Sequence, residues 1–314
     1  MFLLPRNHPG LAESLIDLLR TYGAHPEPQL RALLIPPNLW NNDERERSPG
    51  KPSAVLSFEN TRDALLSTDV LQRTADQLDL TETFASHLGS APASDRLATW
   101  LLDEERTGPD PCNADSAHVG SGDLAHALTW FLQLDPLGPW AQPSTGSTEA
   151  SPVSRLERET GRALPDRTFR NPSDWSLFVR WSVFLGFTEP RPGGRLDPDP
   201  TVAIDRVLDG VLTEEMSLTT FLDRLGRAVP MYGGHLERSW HGSSTPTSQG
   251  VITPSLANAL LRLEHRGRLR LDSGVDEDDV MILEFGRFAP VHGPEGTITP
   301  THRRYARIWP EVAA

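Results

Sequence analysis

The chain has 314 residues, a formal charge of -13, 28 prolines and 24 glycines, and 37% of its residues are hydrophobic. That length suits two or three compact units, since single cores stop growing near about 250 to 300 residues, and the Pro and Gly lie mostly in connecting stretches, which argues for helical pieces joined by irregular loops and against an all-β repeat. The acidic balance excludes coating of nucleic acid by bulk electrostatics, which needs clustered cations to release counterions, but leaves room for local basic patches.

Lys51 is the only lysine among 30 basic residues. Positive charge is therefore carried by arginine, whose planar fork suits phosphate and carboxylate, although a GC-rich bacterial genome also produces this usage. Cys112 is the single cysteine, so an internal disulfide and a multi-cysteine zinc site are excluded and an intracellular setting is expected. MFLLPRNHPG has too short an apolar run before Pro5 for a signal-peptide core, and no run approaches the roughly 18 apolar residues of a membrane span. The expectation is a cytoplasmic chain without a membrane partner.

In chain order, residues 10–22 form an amphipathic helix with Leu11, Leu15, Leu18 and Tyr22 on one stripe, ended by Gly23. A short helix follows from Glu27 to Leu34. AVLSF at 54–58 reads as a strand, Asn60 as the cap of a helix running through Leu71, and Leu78–Leu80 as a short strand. This order resembles a winged helix at the N-terminus. ETFASHLG, DRLATWLLDEER and DLAHALTWFLQL are helical, and the Pro/Gly/Ser/Thr-rich residues 136–152 read as a linker or mobile crossover. SDWSLFVRWSVFLGF predicts a central buried helix ending at Gly186, anchored by Trp175, Phe178, Trp181, Phe184 and Leu185. Asp199 as N-cap and Pro200 at the first helical position start the next helix, and another runs from Leu218 to Val229. The expected divisions are 1–80, 81–135, the 136–152 crossover, and 153–314. No internal sequence repeat is visible.

The most informative stretch is 251–286. ITPSLANALLRLEHRG places Pro254 at a first helical position, repeats Leu256, Leu260 and Leu263 on one face and stops at Gly267. Asn258, Arg262 and His265 face the other way. RLRL alternates, turns through an acidic loop and returns from Val280 to Phe285 as an apolar strand. A helix feeding a hairpin is the plan of a winged helix-turn-helix. The expected fold is thus mainly α, with winged-helix units, clearest at the C-terminus, joined by a helical middle with small β-hairpins.

As a recognition helix this segment gives Arg262 and Arg266 to phosphates or guanine edges and Asn258 to a base edge. Asp272, Asp276, Glu277, Asp278 and Asp279 oppose that use, because carboxylates on a wing repel the DNA backbone. They favour protein docking, and Asp276, Glu277, Asp278 and Asp279 are the candidate partner-binding residues. The tail residues Arg303, Arg304 and Arg307, with Tyr305 and Trp309, combine cations with stacking rings and can track nucleic acid; a helix packing Tyr305, Ile308 and Trp309 on the domain is the simpler reading.

No catalytic motif, metal site or cofactor site is expected. DSGVDEDD lacks the spacing of a calcium loop. Asp197, Asp199 and Asp205 form a carboxylate set that a magnesium-dependent hydrolase would need, but capping explains Asp199 and a helical face explains Asp205. His235 and His241 are too far apart in sequence for helical zinc ligands, Cys112 has no thiol-catalyst motif around it, and GSGDL at 120–124 reads as a helix N-cap loop, not a nucleophile elbow.

DWSLFVRWSVFLGF, LDPDPTVAI, SLTTFLDRLGRAVPMYGGHL and ITPSLANALLRLEHRGRL in succession, with MFLLPRNHPGLAESLIDLLRTYG at the start, resemble the DpdG family. DpdG is a component of bacterial clusters that insert 7-deazaguanine derivatives into DNA and restrict unmodified DNA. The resemblance implies an accessory protein acting beside nucleases and helicase-like proteins. It transfers no catalytic residue. The expected role is an adaptor in an antiviral DNA-modification or restriction system, with other proteins of that complex as partners and double-stranded DNA as a further one; the alternative is a sequence-specific transcriptional regulator.

Overall fold

The computed structural model describes residues 7–35, 53–107, 121–134, 136, 172–191, 195–241, 245–272, 281–284 and 302–310. Helix α1 (Pro9–Tyr22) opens with a proline in its first turn and closes where the Gly23 N–H bonds the Leu19 carbonyl. Ala12, Leu15, Ile16 and Leu19 are its buried face, while Tyr22 is 65% exposed. The apolar stripe is thus rotated from the one expected through Leu11, Leu18 and Tyr22. Strand β1 (His25–Pro26) leads directly into α2 (Glu27–Leu34).

The expected strand at 54–58 and the helix after Asn60 are one continuous helix, α3 (Ser53–Ser67). A five-residue apolar run cannot by itself distinguish strand from helix; here Val55, Phe58, Thr61, Ala64 and Leu65 recur at helical spacing and are buried, with α1 packed against α3. Leu71 leaves the helix and opens β2 (Leu71–Thr74), which turns at Ala75 and Asp76 and pairs with β3 (Gln77–Leu80).

The middle is helical: α4 (Glu82–Leu88), capped by the Thr81 hydroxyl, then α5 (Ala93–Leu101), α6 (Glu104–Thr107), α7 (Gly122–Leu132) and α8 (Pro172–Phe184). Every residue of α7 is buried. Trp175 of α8 meets Trp130 and Phe131 of α7 edge-on, at centroid distances of 6.3 Å for each, and Phe178 meets Phe131 at 5.5 Å. Such edge contacts suit the ring quadrupoles. Trp181 is fully buried and Phe184 partly so. Gly186 stops α8 at φ 86°, and a Cβ there would stand 2.9 Å from the Ala203 nitrogen, so glycine is required by both backbone and space.

The hairpin β4 (Thr188–Arg191) and β5 (Arg195–Pro198) leads to α9 (Thr201–Val211), β6 (Met216–Ser217) and α10 (Leu218–Ala228). Helix α9 begins one residue later than expected, with Pro200 as the cap residue; the Asp199 carboxylate still accepts from the Thr201 N–H at 3.1 Å. Next come α11 (His235–His241), a short 3-10 turn (Thr247–Gln249), β7 (Val251–Ile252), α12 (Pro254–His265), β8 (Leu269–Asp272), β9 (Met281–Glu284), β10 (His302–Tyr305) and β11 (Arg307–Pro310).

Two expectations fail here. Strand β8 does not pair with β9, as the expected hairpin requires; it pairs with β11, whereas β9 pairs with β10 and, in parallel, with β7. The tail is two strands, not a helix. Its sequence alternates about a break at buried Ala306, whose N–H bonds the Asp272 carbonyl and whose carbonyl accepts from Leu218.

The elements α1, β1, α2, α3, β2, β3 and the elements α9, β6, α10, α12, β8, β11 follow one plan. Each has a sheet whose last strand lies between the other two, in the orders β1-β3-β2 and β6-β11-β8. Pairing is equivalent: Leu71 to Leu80 matches Leu269 to Pro310, and Pro26 to Gln77 matches Ser217 to Arg307. The residue after the first strand donates to the residue before the last in both, Glu27 to Asp76 and Leu218 to Ala306. A repeat invisible in the sequence is therefore present in the fold. The second copy carries α11 to β7 as one insertion and β9 with β10 as another. The first unit ends at Leu80, and apart from Pro136 the expected crossover at 136–152 lies outside the described residues. The described chain is mainly helical with small sheets, and none of its described helices is long and apolar enough to cross a membrane.

Candidate nucleic-acid and partner interface

Helix α12 is set by its buried side. Leu256, Ala257, Ala259, Leu260 and Leu263 are in the core, and buried Ser255 bonds the Tyr232 hydroxyl at 2.9 Å and the Leu132 carbonyl of α7. Burial pushes the Tyr232 phenol far above its ordinary range, so it is a neutral structural group.

The opposite side carries the sequence candidates, and they are not equivalent. The Asn258 amide donates to the Pro254 carbonyl one turn back, at 2.8 Å. Arg262 is held by carboxylates: Nη1 donates to Glu189 Oε2 of β4 at 3.1 Å and to Asp199 Oδ2. His265 and Arg266 end the helix in solvent. Beyond them Arg268 pairs with Asp205 at 2.7 Å and Asp209 at 2.9 Å; these bonds, the one to Asp205 foremost, hold its guanidinium more firmly protonated. Arg270 lies 5.3 Å from the centroid of the Trp309 ring, a cation-π contact at the surface.

On the tail, Arg304 is exposed opposite Ile282, and Arg307 pairs with Glu215 at 2.7 Å. The Arg303 side chain lies outside the described residues, as do Asp276, Glu277, Asp278 and Asp279. Among the described residues, Arg266, Arg270 and Arg304 have no carboxylate partner.

The carboxylates Asp197, Asp199 and Asp205 engage different arginines, Arg191, Arg262 and Arg268 respectively. Among the described residues no group of three His, Cys, Asp or Glu is arranged to hold a metal. His235 bonds the Thr107 hydroxyl at 3.1 Å and His241 bonds the Gln133 amide oxygen at 3.2 Å. Ser121 is the residue before α7, as the N-cap reading of GSGDL expects, though its hydroxyl donates to the Leu101 carbonyl instead of to the helix. Cys112 lies outside the described residues.

Sequence reasoning missed Glu189 and Arg191. Arg191 donates through Nε to Asp197 Oδ2 at 2.9 Å and meets Glu189 Oε2 through Nη2 at 2.8 Å; the Asp197 bond first, then its acidic neighbours, raises its pKa. The sequence signal is TEPRPGGRLDPD, where charged residues alternate on both sides of Pro-Gly-Gly, a pattern that suits a two-stranded hairpin.

No curated protein and no solved structure matches the chain. Residues 4–277 match the family model described as DpdG-like. That match takes in the first unit and the second as far as β8, and the chain belongs to the DpdG-like family.

Proposed function

We propose that this chain is a non-catalytic adaptor subunit of a bacterial DNA-modification and antiphage restriction system, working in the cytoplasm. Its two equivalent units are winged helices that dock partner proteins and, secondarily, touch duplex DNA. Membership in the DpdG-like family supports the DNA-modification setting. The order helix, strand, helix, helix, strand, strand supports the winged-helix reading.

The observation that carries docking over base reading is the pairing of the arginine on the outward side of α12, the third helix of the second unit. A helix that reads base edges presents uncommitted donors to the groove. Here Arg262 of α12 is paired with Glu189 and Asp199. Asp276, Glu277, Asp278 and Asp279 supply an acidic docking surface on the second unit. Proteins encoded beside this chain should co-purify with it, and replacing those four residues by Lys should release them. Unchanged assembly of that variant removes the acidic loop as the docking surface.

The exposure of Arg266, Arg270 and Arg304 favours a second reading, a DNA-binding regulator using these with Asn258, Arg303 and Arg307. It requires a dimer on a palindromic site. A monomer without sequence preference excludes it.

A further inference from the structure

Two guanidiniums from separate elements converge on one oxygen. Arg191 Nη2 on β4 and Arg262 Nη1 on α12 lie 2.8 Å and 3.1 Å from Glu189 Oε2. Beneath them, Asp197 and Asp199 hold one arginine each, and these two carboxylates are nearly buried, with side chains 9% and 11% exposed. Asp199 is fixed further by the Thr201 N–H at the start of α9. The arrangement separates anchoring anions from a presented one, because Glu189 is 43% exposed and both arginines keep more than a third of their side-chain surface. A surface carboxylate held by partly exposed arginines contributes little to stability, so a phosphate can displace it. Two oriented guanidiniums are well suited to a phosphate oxygen.

We propose that Arg191 and Arg262 form a phosphate site for the backbone of duplex DNA, and that the Glu189 carboxylate stands in for the phosphate when no DNA is bound. The inference rests on the DNA-contact half of the function proposed above and not on partner docking. Arg262 thereby acts as a backbone contact that positions the duplex and carries no base specificity. Exposed Arg266, one turn further along α12, extends the same cationic edge.

The test measures binding of the full chain to fluorescent duplex DNA by anisotropy across a salt series. Glu189→Gln keeps the side-chain size, removes the stand-in charge and should tighten binding about three- to tenfold at low salt. Its log affinity against log salt should steepen by about 0.9 for each phosphate newly neutralised. Adding Arg262→Gln should return both readouts to the original values or below. Glu82→Gln, an exposed carboxylate on α4, controls for net charge and should change neither. Unlabelled inorganic phosphate at millimolar concentration should not compete; competition would assign the cradle to free phosphate instead of duplex DNA. The proposal is overturned if Glu189→Gln binds like the original chain, if Glu82→Gln gains as much, or if the gain survives Arg262→Gln. Partner co-purification, read separately, stays intact in every variant if only this proposal fails.

Discussion

The two six-element units share a backbone plan and differ in what fills one corner of it. In the first, Glu27 at the start of α2 meets Arg62 of α3 and, at 2.6 Å, Arg73 of β2. Counting from the matched strands and the three-residue α3-β2 and α12-β8 links, the equivalent positions in the second are Leu218, Leu260 and Leu271, all buried. The fold therefore tolerates either ions or leucines at that corner, because sheet order and register are set by the pairing of the last two strands with each other and with the first. The ionic corner is partly open to solvent, and the apolar one is closed. Their energetics should differ accordingly: removing buried leucine costs transfer and cavity energy, whereas Glu27 keeps Arg73 as a partner and some access to solvent when Arg62 is removed.

The largest effect should come from Leu260→Ala, which should destabilise the chain by roughly 2 to 5 kcal/mol in urea unfolding. Arg62→Ala, its counterpart in the first unit, should cost clearly less. Equal costs would break the comparison, since they would mean that Arg62 works as a packed core residue. Next is Glu237, an almost fully buried carboxylate in the insertion of the second unit, which accepts from the Gly233 and Thr247 backbone and from the Thr247 hydroxyl at 2.8 Å. Glu237→Ala leaves these buried donors unanswered and should cost roughly 1 to 3 kcal/mol; no change would show that the insertion is not coupled to the stability of its unit. Smaller again, Glu27→Gln should lower stability by about 1 kcal/mol or less, and less still at high salt. A salt-independent loss would point to packing, not charge, at the open corner.

The uneven legibility of the chain in its sequence has the same physical source. The face of α12 was readable because Leu256, Leu260 and Leu263 obey a local period and Gly267 ends it. The Trp175, Phe178 and Trp181 core was readable because a helix apolar over most of its circumference has to be buried. By contrast, the local pattern of AVLSF fits strand and helix alike, and only contact with α1 resolves it as helix. The pairing of β8 with β11 joins segments separated by an inserted β9 and β10, and no local period reports such closure. The unit repeat stayed hidden for the reason given by the corner itself: Glu27, Arg62 and Arg73 have no chemical likeness to Leu218, Leu260 and Leu271. At the candidate site, the arginines were visible as residue types, but whether a guanidinium is committed depends on carboxylates brought by other elements. Glu189 is 73 positions from Arg262 in sequence.

The smallest expected effect is set by pH and compares the two ends of the molecule. His8, at the start of α1, accepts from Arg180 Nη1 of α8 through Nε2 at 2.7 Å if its ring is neutral. Burial first, and then the charge of Arg180, lowers its pKa below the ordinary 6.5. His235, at the start of α11 in the second unit's insertion, is also lowered, chiefly by burial, against the opposing pull of Glu104 and Asp103. For both, the unfolded chain binds more protons than the folded one in the window below pH 6.5. Their contribution to stability is therefore complete above that value and is lost as pH falls through the depressed folded pKa. Thermal melts should decline from pH 7 toward pH 5, and His8→Gln should remove part of that slope. His235→Gln should remove another part, because burial disfavours the charged form of His235 as well. An unchanged slope in His8→Gln would show that the junction between α1 and α8 yields on protonation without cost; a larger change in His235→Gln would place the pH-sensitive contact in the insertion of the second unit.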